Sequence, residues 1–96
     1  MDVFLLTKPP QSERSELCLK LLARSERSRL YLAGDGVYHL LSQAGTIPPS
    51  CEILASKEDV AARGVVPRWR RAEVREDFYE RLVEDVMDGD GRFFTF

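Results

Sequence analysis

Two cysteines, one histidine, a closely spaced glycine pair and an arginine cluster are the residues of this 96-residue chain whose chemistry could reach beyond packing. Cys18 and Cys51 are candidate sulfur nucleophiles. A thiolate forms where a helix N-terminus or a nearby cation lowers the thiol pKa, and Cys18 falls in mid-helix, out of reach of the helix dipole. Arg14, four residues back on the same side, and Lys20 would favour its thiolate; burial against Leu21 and Leu22 opposes it. A small buried hydrophobe is the better residue-level reading of Cys18, and Cys51, at the entry of a strand, has still less to activate it. His39 is the single histidine, so a histidine-rich metal site is excluded. No spacing brings it to either cysteine as a metal site or a Cys–His nucleophile pair. The two cysteines also fit neither a disulfide framework nor a zinc ribbon of paired CxxC units, which favours a reducing cytoplasm. No metal and no cofactor is expected.

Gly34-Asp35-Gly36 has the first two glycines of a dinucleotide-binding turn but not the third, and it follows the second strand instead of the first. A tight strand-to-helix turn with glycine at positive φ is the stronger reading. The first loop, Thr7-Lys8-Pro9-Pro10, lacks glycine and cannot cradle phosphate with backbone amides, so kinase and GTPase readings fail. Arg68-Trp69-Arg70-Arg71 couples charge with a stacking platform, a combination able to hold RNA or an acidic protein face. The net charge is −2 and the acidic stretch 76–90 follows directly, so a solvated loop paired with that helix is favoured. Direct nucleic-acid binding is not expected.

These groups need elements to position them. The apolar run 3–6, stopped by Lys8-Pro9-Pro10, reads as a strand buried on both faces, which points to a parallel sheet. Ser12 is the expected cap of a helix with Glu13 and Glu16 at its positive end and Leu17, Cys18, Leu21 and Leu22 on its apolar face. A second run, 30–33, leads through the glycine turn to a short helix carrying Val37, Leu40 and Leu41. A third strand, 51–55, ends at Ser56, the cap of a helix over 57–63 closed by Gly64. The fourth strand is reduced to 72–74. The last helix sets Phe78, Tyr79, Leu82, Val83, Val86 and Met87 against Glu80, Glu84, Asp85 and Asp88, and 92–96 closes the chain as an aromatic strand.

Strands alternating with helices in this way imply an α/β fold, a three-layer α/β/α sandwich on a mostly parallel sheet of about five strands. The chain length suits one domain over 1–96, and 44% hydrophobic with 31% charged residues is a globular composition. No apolar run approaches the roughly 20 residues of a membrane helix, and Asp2 stands where a signal peptide carries positive charge.

Gly34-Asp35-Gly36-Val37-Tyr38, Glu52-Ile53-Leu54-Ala55 and above all Asp59-Val60-Ala61-Ala62-Arg63-Gly64 resemble the DsrH/TusB family of sulfur-relay proteins. The resemblance extends to Asp77-Phe78 and to the aromatic C-terminal strand. It implies a small cytoplasmic subunit, accessory to sulfur transfer rather than a stand-alone enzyme. Such a subunit forms a heteromer with DsrE/TusD-like and DsrF/TusC-like relatives, handing persulfide sulfur toward tRNA 2-thiouridine or through dissimilatory sulfur oxidation. The principal sulfur-carrying cysteine then belongs to the DsrE/TusD-like partner. Ser15-Glu16-Leu17-Cys18-Leu19-Lys20 is similar to a first-helix stretch of the sulfur-oxidiser branch, which implies Cys18 as a possible persulfide carrier. Residues 34–38 are then expected to help build the partner surface. Exposed sheet edges and the apolar rings of Phe93, Phe94 and Phe96 argue for a heteromer or homo-oligomer. The arginine loop does not match the family pattern. The alternative function is a free-standing binding or regulatory module that uses that loop.

Overall fold

The computed structural model describes residues 1–42, 47–68, 70–89 and 91–96. Five strands, β1 (Asp2–Leu6), β2 (Ser28–Leu32), β3 (Cys51–Ser56), β4 (Ala72–Arg75) and β5 (Phe93–Thr95), form one sheet in the order β4-β3-β2-β1-β5. Every pairing is parallel, so the sheet is wholly parallel. The short fourth strand is present, aligned on β3 from Ile53↔Ala72 to Ser56↔Arg75. The helices are α1 (Glu13–Arg24), a 3-10 helix (Gly34–Leu41), α2 (Lys57–Ala62) and α3 (Phe78–Asp88). Among the described residues no helix is long and apolar enough to cross a membrane.

The strand order dictates the layers. From β1 to β4 the chain steps in one direction across the sheet, so right-handed crossovers stack their connections on one face. From β4 the chain must return across the whole sheet to β5, and the same handedness sends α3 to the other face. The core divides accordingly. Phe4, Leu6, Leu30, Leu32, Ile53 and Ala55 meet Cys18, Leu22, Val37, Leu40 and Val60 on the first face. Val3, Tyr31, Ala33 and Leu54 meet Phe78 and Leu82 on the second, with Met1 and Leu5 packed beside them.

Local chemistry sets the element ends. The Ser12 hydroxyl accepts the Ser15 amide at 3.1 Å, and Ser56 accepts that of Asp59 at 3.3 Å, two N-caps at the expected positions. Gly64, at φ +62°, ends the turn after α2. The glycine turn and the short helix prove to be one element, since the 3-10 helix begins at Gly34 itself.

Two helices sit rotated from their expected orientation. In α1 the buried positions are Ser15, Cys18 and Leu22, while Leu17 is exposed. Ser15 turns inward because its hydroxyl finds carbonyl and imidazole partners there, and the helix rolls with it. In α3 only Phe78 and Leu82 are buried, whereas Asp85, expected on the wet face, points to the sheet and binds Arg29.

Candidate functional site

In an open parallel sheet, ligands gather at the carboxyl ends of the strands, which here are the loops after Leu6, Leu32, Ser56 and Arg75. Two segments far apart in sequence meet at that end. The Gly34 amide donates to Asp59 Oδ2 at 2.9 Å, and the Arg63 guanidinium donates to Asp35 Oδ1 at 3.0 Å and to Asp59 Oδ1 at 3.3 Å. Residues 34–38 are thus clamped to α2 by one arginine between two carboxylates, and Asp35 keeps an exposed side chain.

The glycines of this turn do different work. Gly34 has φ +54°, the left-handed conformation that glycine adopts without a Cβ penalty. Gly36 does not; a Cβ there would lie 2.1 Å from the Leu6 carbonyl oxygen, so it is glycine because two backbones touch. Thr7 closes the neighbouring gap, its amide and its hydroxyl both donating to the Phe96 carbonyl at 3.0 and 2.8 Å. The chain's own backbone fills this stretch of the carboxyl-end crevice. Val37 is buried in the core and Tyr38 is half-buried, leaving Asp35 and Tyr38 as the side chains of the turn that reach solvent.

His39 is buried and meets Ser15, a pair that sequence spacing does not announce. Its Nε2 lies 3.1 Å from the Ser15 hydroxyl and 3.2 Å from the Lys8 carbonyl. A carbonyl only accepts, so Nε2 carries the proton, and Ser15 accepts from it while donating to the Pro9 carbonyl at 2.7 Å. A histidine already donating to a hydroxyl is no base for it. The pair fastens the loop after β1 to α1 and the 3-10 helix, and burial lowers the His39 pKa below its ordinary 6.5.

Cys18 and Cys51 share the first core cluster, an approach the sequence does not announce. Cys18 is 0% exposed, and burial, with a smaller contribution from the Cys51 thiol, pushes its pKa up to about 12. Burial also raises Cys51. The help expected from Arg14 goes elsewhere. Its guanidinium donates to the Thr95 carbonyl at 3.2 Å and lies 5.2 Å from the centre of the Phe96 ring, and Lys20 points to solvent. Desolvation outweighs charge, and both thiols are protonated near neutrality. Among the described residues no group of three His, Cys, Asp or Glu side chains is placed to hold a metal ion.

The arginine loop is partly structural. Arg71 donates to the carbonyls of Ile47 at 3.1 Å, Pro48 at 2.7 Å and Cys51 at 2.8 Å, so it anchors the entry of β3 instead of pairing with the acidic helix. Arg68 and Arg70 are exposed; the stacking role considered for Trp69 lies outside the described residues.

A further polar cluster, also absent from the sequence reading, lies under α3. Asp85 accepts from Arg29 Nη1 at 2.7 and 2.8 Å and from the Tyr31 hydroxyl, while Arg29 Nη2 reaches Glu52 at 3.1 Å. Burial and the Asp85 carboxylate raise the Tyr31 pKa to about 12. The signal was present in the spacing, because Asp85 stands seven residues after Phe78 on the inward stripe.

Comparison with known proteins bears on the arrangement as a whole. A family model described as DsrH like protein matches residues 7–90. No curated protein matches the chain. Among solved structures, the solution NMR structure of protein Tm0979 from Thermotoga maritima superposes with a TM-score of 0.62, covering 94% of each chain at 20% identity. That likeness concerns the fold.

Proposed function

The chain belongs to the DsrH-like family of small sulfur-relay subunits, and from that premise we propose that it is a docking subunit of a cytoplasmic relay complex. It joins DsrE/TusD-like and DsrF/TusC-like relatives and supports persulfide transfer toward tRNA 2-thiouridine or dissimilatory sulfur oxidation. Sulfur travels on a partner's cysteine, and this chain contributes shape and charge.

The observation that carries this reading is the clamp at the strand ends. Arg63 ties residues 34–38 to α2 through Asp35 and Asp59 and leaves Asp35 exposed, while both thiols are buried. A partly charged, tied-down surface on a chain whose thiols are both buried suits recognition better than sulfur chemistry.

Mixing the chain with its two relatives and measuring mass by light scattering tests the proposal. A heteromer forms with wild type and is weakened by Asp35→Arg; absence of any heteromer with wild type defeats the reading.

A second reading, with Cys18 as carrier, is supported by its place in the first helix. It requires α1 to open, since the thiolate must attack the terminal sulfur of a donor persulfide as the donor thiolate leaves. Intact mass after incubation with a persulfide donor separates the two. One added sulfur that is lost in Cys18→Ser and kept in Cys51→Ser makes Cys18 a carrier. No gain, even with the relatives present, leaves it a structural thiol.

A further inference from the structure

α3 carries more apolar surface than its own sheet covers. Tyr79, Val83, Val86 and Met87 are 54%, 59%, 36% and 78% exposed, beside the inward stripe of Phe78 and Leu82. Tyr79, Val83 and Val86 step by four and then three residues, the spacing of a seam that packs against a second helix, and Met87 widens it.

Both borders of the seam are acidic. Glu80, Glu84 and Asp88 each follow a seam residue and form a row along one side. On the other side Glu58 and Asp59 of α2, the latter already paired with Arg63, add to the burial that raises the Tyr79 hydroxyl pKa. Among the described residues, Glu58, Glu80, Glu84 and Asp88 have no salt-bridge partner.

Charge selects the occupant. A second copy seated on this face about a two-fold axis meets it in one of two ways. Antiparallel helices set the Glu80 and Glu84 rows against each other; parallel helices set that row against Glu58 of α2. Either arrangement brings like charges together around an apolar contact, which is unfavourable. We infer that the α3 seam docks an amphipathic helix of a different protein, one whose apolar stripe is bordered by lysine or arginine. The need for such a partner rests on the relay-subunit reading, and the seam adds a second docking surface to that of residues 34–38.

The experiment compares wild type, Val83→Glu/Met87→Glu and Glu80→Lys/Glu84→Lys, each alone and mixed with the DsrE/TusD-like and DsrF/TusC-like relatives, by analytical ultracentrifugation. All four positions are exposed, and thermal melts by circular dichroism check each fold. Both variants are expected to bind about tenfold more weakly or worse, and the lysine variant, which keeps the apolar seam, also to lose the salt dependence of binding. Equal assembly of wild type and both variants overturns the inference and leaves the relay reading standing. Absence of a wild-type heteromer overturns the relay reading and the inference with it. A wild-type homodimer abolished by Val83→Glu/Met87→Glu makes the occupant a second copy and overturns the inference alone.

Discussion

On one face of the sheet α1, the 3-10 helix and Val60 of α2 enclose an apolar core in which Phe4 stacks on Phe94 at 5.0 Å and both cysteines disappear from solvent. On the other face α3 is the one helix among the described residues over Val3, Tyr31, Ala33 and Leu54, is tied down through the Asp85 carboxylate, and leaves an apolar flank in water. The cause is topological. Connections that step one way across a parallel sheet accumulate on one face, and a single return crossing supplies one helix to the other. Among the described residues the first face is covered by three elements, while the second leaves Tyr79, Val83 and Met87 of its one helix exposed. The buried groups of the first face therefore act in folding, and association is expected at the exposed flank on the second and at residues 34–38.

The largest expected difference between the faces comes from Gly36→Ala. Its Cβ would lie 2.1 Å from the Leu6 carbonyl oxygen at the carboxyl end of β1, a carbonyl already held by the Ala33 amide at 3.2 Å. A loss of about 3 kcal/mol in urea unfolding is expected; a loss under about 1 kcal/mol would mean the first face is looser than its geometry.

Next is Asp85→Ala on the second face, which leaves Arg29 and Tyr31 without their shared acceptor. About 2 kcal/mol is expected, below the figure for a fully buried pair because the site is partly hydrated. Stability unchanged in this variant would show that the apolar contacts of Phe78 and Leu82 suffice to hold α3.

Cys18→Ser exchanges a buried thiol for a hydroxyl and should cost about 1 to 2 kcal/mol. With its pKa at about 12, the native thiol is expected to react with iodoacetamide only through opening of the fold. Labelling at the rate of an exposed thiol would place Cys18 outside the sealed core.

The smallest effect is that of pH on His39. Its folded pKa lies below the unfolded value of 6.5, so the unfolded chain binds the extra proton first as pH falls. Stability is full above about 6.5 and declines below it; His39→Gln should remove that slope. A slope unchanged in the variant would assign acid sensitivity to other groups.

Much of this architecture was legible in the order of residues. Apolar runs bounded by proline and glycine marked the strands, Ser12 and Ser56 marked helix starts, and the 34–38 and 59–64 segments carried the family resemblance. All of these signals are local, set by side chains within a few residues of one another. Tertiary structure decided the rest. Helical periodicity defines an apolar stripe but not the roll of the helix on the sheet. That roll depends on what lies beneath, on the carbonyls that draw Ser15 inward and the Arg29 that draws Asp85. It is why Leu17, Tyr79, Val83 and Met87 emerge exposed. Strand order brought Asp35 to Arg63 and sent α3 to the opposite face, and burial, absent from any reading of neighbours in sequence, raised the Cys18 thiol against the charge expected to lower it.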